Sequence, residues 1–197
     1  MRKCLLLLAF IASTFAFGQN ISRVNDSASK ITPGKRNKIH SSFGLKGGLN
    51  RSIVNGSTTT GAKTGYRGTE LYGSLFADFE LGQQWNFENE LMFSWTDDYH
   101  LVEIPLHLKY KLSNKWKTFA GPKLDIIVDN ENDPFKSEYK FRHFGLSGEL
   151  GVQYAITNWF FAETRYSQSF MRQVTDLVLD INNAKRNTFR LGLGIRF

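Results

Sequence analysis

The chain of 197 residues contains one cysteine, Cys4, and four histidines. It carries no zinc spacing, no phosphate-binding glycine loop and no dinucleotide fingerprint, so no cofactor or metal is expected. After the first 20 residues it has no apolar run approaching the ~18 residues that a membrane-crossing helix requires. A helical membrane protein is therefore excluded. The basic excess is mild and scattered rather than gathered into a stripe, which argues against a nucleic-acid partner.

The N-terminus supplies a different signal. Arg2 and Lys3 precede the apolar run Leu5–Ala12, and Ala16 and Gly18 are small residues before Gln19. This pattern predicts a secretory signal peptide over residues 1–18. Cys4 lies before the apolar run and would leave with it, so the mature chain is expected to lack disulfides and thiolate chemistry. Losing Arg2 and Lys3 takes Lys plus Arg from 25 to 23 against 18 acidic residues, a net charge of +5. Residues 19–39 are polar, basic and broken by Pro33-Gly34, and read as a flexible lead segment.

From residue 40 onward the dominant pattern has a period of two. The C-terminal stretch is the clearest example. Phe189, Leu191, Leu193, Ile195 and Phe197 alternate with Arg190, Gly192, Gly194 and Arg196. Such alternation gives a strand with one apolar face and one polar face. Seven further strands are expected at 40–51, 69–81, 85–95, 101–112, 116–128, 142–154 and 159–170, and the eighth at 187–197. Short turns are expected after the second, fourth and sixth. Long loops are expected at 52–68, 129–141 and 171–186, and a short connection at 96–99. Within the last long loop, 174–181 is oddly apolar and is expected to extend the final hairpin. Pro105 and Pro122 fall inside strands, where bulges are expected.

Eight strands with short turns at one end and long loops at the other predict an all-β, eight-stranded antiparallel up-and-down transmembrane β-barrel over residues 40–197. An even count places both termini on the periplasmic side of a bacterial outer membrane. Trp85, Trp95, Tyr110, Trp116, Tyr154 and Tyr166 sit near strand ends on the apolar parity, as in interfacial aromatic girdles. Alternation alone cannot separate this barrel from a soluble, lipocalin-like carrier with its apolar face inward.

If the polar parity faces the lumen, its charges nearly balance. Glu70, Asp78, Glu80, Glu88, Glu90, Glu103, Asp125, Glu149 and Glu163 oppose Lys46, Lys109, Lys111, Lys117, Lys123, Arg165, Arg190 and Arg196. An eight-stranded lumen is just wide enough for side chains to fill. The expectation is a core of ion pairs with no open pore, centred on Glu149, Glu163, Arg165 and Arg190. Candidate catalytic groups are sparse. Asp97, Asp98 and His100 form a polar cluster at a connection, but no second Asp/His pair accompanies them. His107 and His143 lie near serines without diagnostic spacing. Asp129, Glu131 and Asp133 resemble a calcium loop in composition only, because Pro134 and Lys140 stand where glycine and glutamate are needed. The reading is a barrel without a catalytic site, structural or partner-binding through its loops. An outer-membrane enzyme is the lesser alternative.

The run Val102-Glu103-Ile104-Pro105-Leu106-His107-Leu108-Lys109-Tyr110 resembles a strand of the porin-like and PorT-like outer-membrane barrels of Bacteroidota. Ala120-Gly121-Pro122, Phe144-Gly145-Leu146 with Gly148 and Gly151, and Glu163 with Arg165-Tyr166 are similar to the same family, as is Phe17-Gly18-Gln19. The resemblance spans about residues 40–197. It implies a protein in contact with outer membrane lipids and assembled by the barrel-insertion machinery. In that resemblance Arg190, Gly192, Ile195 and Phe197 form the insertion signal. Some relatives resemble accessories of protein secretion, so an envelope or secretion partner is the further implication.

Overall fold

The computed structural model describes residues 40–58, 60–95, 100–128, 139–141, 144–171, 174–176 and 181–197. Ten strands follow one another: β1 Ser41–Ser57, β2 Lys63–Glu80, β3 Trp85–Trp95, β4 His100–Lys111, β5 Trp116–Val128, β6 Tyr139–Phe141, β7 Phe144–Ala155, β8 Phe160–Ser169, β9 Val174–Asp176 and β10 Ile181–Arg196. Leaving out β6 and β9, the remaining eight pair antiparallel in chain order, and β10 returns to pair with β1. The sheet is closed, with Leu49 opposite both Leu71 and Leu191 at the seam.

The period of two now acquires a direction. Leu71 is 63% exposed, Leu150 59% and Leu191 55%, whereas Glu88, Glu103, His107, Lys109 and Arg190 on the opposite parity are wholly buried. The apolar face points outward. A soluble carrier needs the reverse arrangement, an apolar interior, so that alternative is overturned. Outward aromatics stack in cross-strand pairs near the turns. The Trp85 and Tyr110 rings lie 4.8 Å apart and those of Trp116 and Tyr154 4.7 Å apart.

Four local expectations need correction. The segment 52–68 is not a long loop. β1 and β2 remain in register from Ser52↔Gly68 to Ser57↔Lys63, so that only five residues separate the two strands. The Gly/Ser/Thr/Asn composition suggests a loop because it lacks apolar alternation. Backbone pairing does not require that alternation once the strands lie side by side. Gly61, at φ +83°, closes the turn, and its N–H donates to the Thr58 carbonyl at 3.0 Å. Similarly, β10 begins at Ile181, inside the segment read as a loop. β9 pairs with that end of β10, through Val174↔Ala184 and Asp176↔Ile181, and β6 pairs with β9.

The prolines make no bulge. Pairing of β3 with β4 runs to Asn89↔Leu106 and resumes at Met92↔Glu103 on the same register, so the ladder is interrupted around Pro105 without an inserted residue. The β4–β5 pairing is likewise interrupted between Pro105↔Lys123 and Leu108↔Ala120, the stretch holding Pro122. A lost ladder bond costs about 1 kcal/mol. A register slip would turn every following side chain to the wrong face, which for charged lumen residues costs far more. Trp159 also departs from the expected strand: it lies in the turn before β8 and is exposed, while Phe161 points into the lumen.

Candidate functional site: a lumen sealed by ion pairs

Residues two apart on a strand share a face, so Glu88/Glu90, His107/Lys109, Lys123/Asp125 and Glu163/Arg165 enter the lumen in pairs. Among the described residues, eight carboxylates are buried there: Glu70, Asp78, Glu88, Glu90, Glu103, Asp125, Glu149 and Glu163. Six cations are buried with them: Lys46, Lys109, Lys123, Arg165, Arg186 and Arg190. Lys117 and Arg196 complete the balance nearer the turns, within 3.8 Å and 3.5 Å of Asp78. Glu80 and Lys111 were expected inside and are instead exposed at the strand ends.

The four residues singled out from sequence are brought together. Arg165 Nε donates to Glu163 at 2.8 Å and Nη1 to Glu149 at 3.1 Å. Arg190 Nη1 donates to the other Glu149 oxygen at 2.9 Å. They form part of a larger network. Arg190 Nη2 donates to Glu103 at 2.6 Å, and Glu103 also accepts from Lys123 at 2.6 Å and from Ser94 at 3.1 Å. Arg165 Nη2 crosses from β8 to Glu90 on β3 at 2.8 Å. Lys46 donates to Glu88 at 2.7 Å and Glu90 at 2.8 Å and lies 3.4 Å from Glu163. Lys109 is paired with Glu88 and donates to Gln153 at 2.9 Å. Arg186 ties Glu70 in at 2.6 Å and lies 3.5 Å from Glu103.

The connected set draws on all eight barrel strands. Several of its bonds join strands that are not neighbours, such as β1 to β3 and β8 to β3. These bonds lie across the lumen rather than along its wall. An aromatic group packs against the cations. The Phe76 and Phe161 rings are 5.8 Å apart and nearly perpendicular, and Lys46 Nζ lies 4.7 Å from the Phe76 centroid. The Arg165 guanidinium lies 5.6 Å from the Phe119 ring. Rings beside charges add attraction without adding a polar atom to satisfy.

The family of the chain follows from a match over nearly its whole length. The model of the outer membrane protein beta-barrel domain matches residues 4–197. The chain belongs to this family. As an outer membrane β-barrel it turns its apolar parity to lipid and holds its ion pairs inside. Solved structures similar to it include the attachment invasion locus protein of Yersinia pestis in complex with a heparin analogue. That chain is 14% identical, with 80% of this chain and 99% of that one covered and a TM-score of 0.49. Neisserial surface protein A is 16% identical over 80% and 99%, TM-score 0.49. OprG from Pseudomonas aeruginosa is 15% identical over 81% and 97%, TM-score 0.45. No curated protein matches the chain.

The remaining candidates in this β-barrel fall into place around the network. Glu88, Glu90 and His107 offer ligand atoms within 4.8 Å of one another, a spacing that suits a metal. Their oxygens already accept from Lys46, Lys109 and Arg165, so the cluster is built around the protein's own cations. His107 Nδ1 lies 3.3 Å from Glu88 and Nε2 3.0 Å from Glu149, so both ring nitrogens meet carboxylates and neither meets a serine. His100 begins β4 and is exposed. Asp97, Asp98, His143 and the acidic segment from Asp129 lie outside the described residues, as do the signal and lead segments. Of the residues assigned to insertion, Arg190 and Gly192 face the lumen, while Ile195 and Phe197 are exposed on the lipid parity.

Sequence reasoning missed the cross-lumen partners and Arg186. Ile181–Arg186 carries no apolar alternation and so reads as a loop. The parity of Arg186 with Arg190 was the available signal.

Proposed function

We propose that this outer membrane β-barrel is a non-conducting, non-catalytic protein that acts structurally or by binding a partner at its loop-bearing end. The observation that carries this reading is the buried network, in which ion pairs join strands across the lumen. Both termini lie on the periplasmic side in this reading, and the β1–β2 hairpin with the β6, β9 and β10 extension projects outward. That extension offers a platform of paired backbone, suited to protein contact. Pure, folded protein in planar bilayers is expected to give conductance at background level. Channels of porin size would overturn the reading.

A second reading is a PorT-like accessory of protein secretion in a Bacteroidota-type envelope. It is favoured by the Glu103-Ile104-Pro105-Leu106 strand and the Ala120-Gly121-Pro122 step. A deletion strain that exports its secreted proteins normally would remove this reading and leave the first intact.

A further inference from the structure

In the lumen the cations sit against carboxylates. On the outward face at the loop-bearing end the situation is reversed. Arg51, Lys63, Arg67 and Lys185 are all exposed, and none has an ion-pair partner among the described residues. They occupy adjoining strands in one register. Arg51 is opposite Thr69 and Phe189, Ile53 opposite Arg67 and Asn187, Asn55 opposite Gly65 and Lys185, and Ser57 opposite Lys63. No carboxylate stands on this parity of β1, β2 or β10 from those rungs outward among the residues named.

The three strands make the same switch. On β1 the outward row passes from Leu49 to Arg51. On β2, followed outward, it passes from Leu71 through Thr69 to Arg67. On β10 it passes from Leu191 and Phe189 through Asn187 to Lys185. An unpaired cationic row therefore begins where the lipid-facing apolar row ends. Between the cations, Gly65 lacks a side chain, and an open hollow of about 460 Å3 is lined by Ile53, Asn55, Lys63, Thr64 and Arg67. Strands lie about 4.8 Å apart and same-face neighbours about 7 Å, so Arg51 and Arg67, one same-face step apart on the adjoining strands β1 and β2, can reach one phosphate together. Guanidinium groups bind phosphate through two parallel N–H bonds.

We propose that this face binds the phosphorylated headgroup of an anionic lipid in the outer leaflet, with acyl chains lying along Leu49, Leu71 and Leu191. A free anion would use the charges alone. An amphiphile uses both the cationic row and the apolar row beneath it, and this continuity selects the lipid. The outer-leaflet assignment rests on the orientation proposed above.

The test uses the refolded full chain in detergent micelles. Its probes are a diphosphorylated glucosamine glycolipid, the dephosphorylated form of that lipid, and inorganic pyrophosphate, with retention read by native mass spectrometry. The phosphorylated lipid is expected to be retained over the dephosphorylated one. The combined variant Arg51→Gln, Lys63→Gln, Arg67→Gln, Lys185→Gln is expected to lose retention by about tenfold or more. The turn-side Lys115→Gln should leave it unchanged. Equal retention of the two lipids, an unaffected fourfold variant, or pyrophosphate held as tightly as the lipid would overturn the proposal. Should the fourfold variant fail to show a heat-modifiable folded band, Arg51→Gln with Arg67→Gln carries the same test. Orientation is read separately, by labelling Ala62→Cys with an impermeant maleimide on intact cells in a Cys4→Ser background. Labelling supports the outer leaflet. Protection of Ala62→Cys with lipid retention intact would overturn the orientation and the leaflet while leaving the phosphate site standing.

Discussion

Glu103 shows what a single lumen side chain carries. It accepts from Arg190, Lys123 and Ser94, with Arg186 at 3.5 Å, all in the interior. Removing one partner of a buried ion pair leaves an uncompensated charge, at a cost of about 3–5 kcal/mol. Arg190→Ala is therefore expected to lower unfolding stability by about that amount, because Glu103 and Glu149 each lose a donor. Leu191→Ala, one residue along and facing lipid, is expected to cost distinctly less. Denaturant unfolding of the refolded barrel followed by tryptophan fluorescence checks both. Gly192 makes a separate residue-scale test. A Cβ there would collide with the Tyr72 hydroxyl. Gly192→Ala should destabilise by about 1–3 kcal/mol through overpacking, and Tyr72→Phe should restore part of that loss because the nearest atom hit is the hydroxyl oxygen. Failure of the rescue would show that the strain lies elsewhere.

At the scale of the strand, β10 does two jobs with two faces. Arg186 and Arg190 join the lumen network, while Phe189, Leu191, Leu193 and Ile195 face outward. Phe197 ends the chain 76% exposed, and its N–H donates to the Phe43 carbonyl at 2.8 Å, a last bond in the seam with β1. Deleting Phe197 is expected to reduce the heat-modifiable, folded fraction recovered from outer membranes while leaving refolding of purified chain into detergent largely intact. Wild-type recovery from cells would remove Phe197 from any insertion signal. The proline strands make the complementary point. β4 and β5 tolerate an interrupted ladder because keeping Glu103, His107, Lys109 and Lys123 inside outweighs the lost backbone bonds.

For the whole molecule, closure and plugging depend on each other. Eight strands enclose a lumen of side-chain width, and among the cations whose bonds bridge it are Lys46, to Glu88 and Glu90, and Arg165, to Glu90. Shortening both, Lys46→Ser with Arg165→Ser, is expected to raise ion conductance above the background predicted for the parent protein. Planar-bilayer recording of the two proteins side by side checks this. Unchanged conductance would mean that the remaining charges and the Phe76–Phe161 pair close the lumen without them.

Eight strands, their parity and the inward charges were legible because each depends on a local repeat. The alternation from Phe189 to Phe197, or from Trp85 to Trp95, shows itself within a few residues. The gathering of Glu149, Glu163, Arg165 and Arg190 was legible for the same reason, since they share parity on neighbouring strands. Which face turns outward was not legible in the alternation itself, which looks the same when its two faces are exchanged; the signal peptide and the asymmetry of short turns and long loops carried that reading. The outer parts of β1, β2 and β10 were not legible either, because their Gly/Ser/Thr/Asn composition lacks a repeat and they are held by backbone pairing instead. The pairing of Lys46 with Glu88 and Glu90, of Arg165 with Glu90 and of Arg190 with Glu103 was decided by the tertiary structure alone. Those contacts depend on how far each strand slides before the barrel closes, and that stagger is a property of the closed sheet rather than of any one strand.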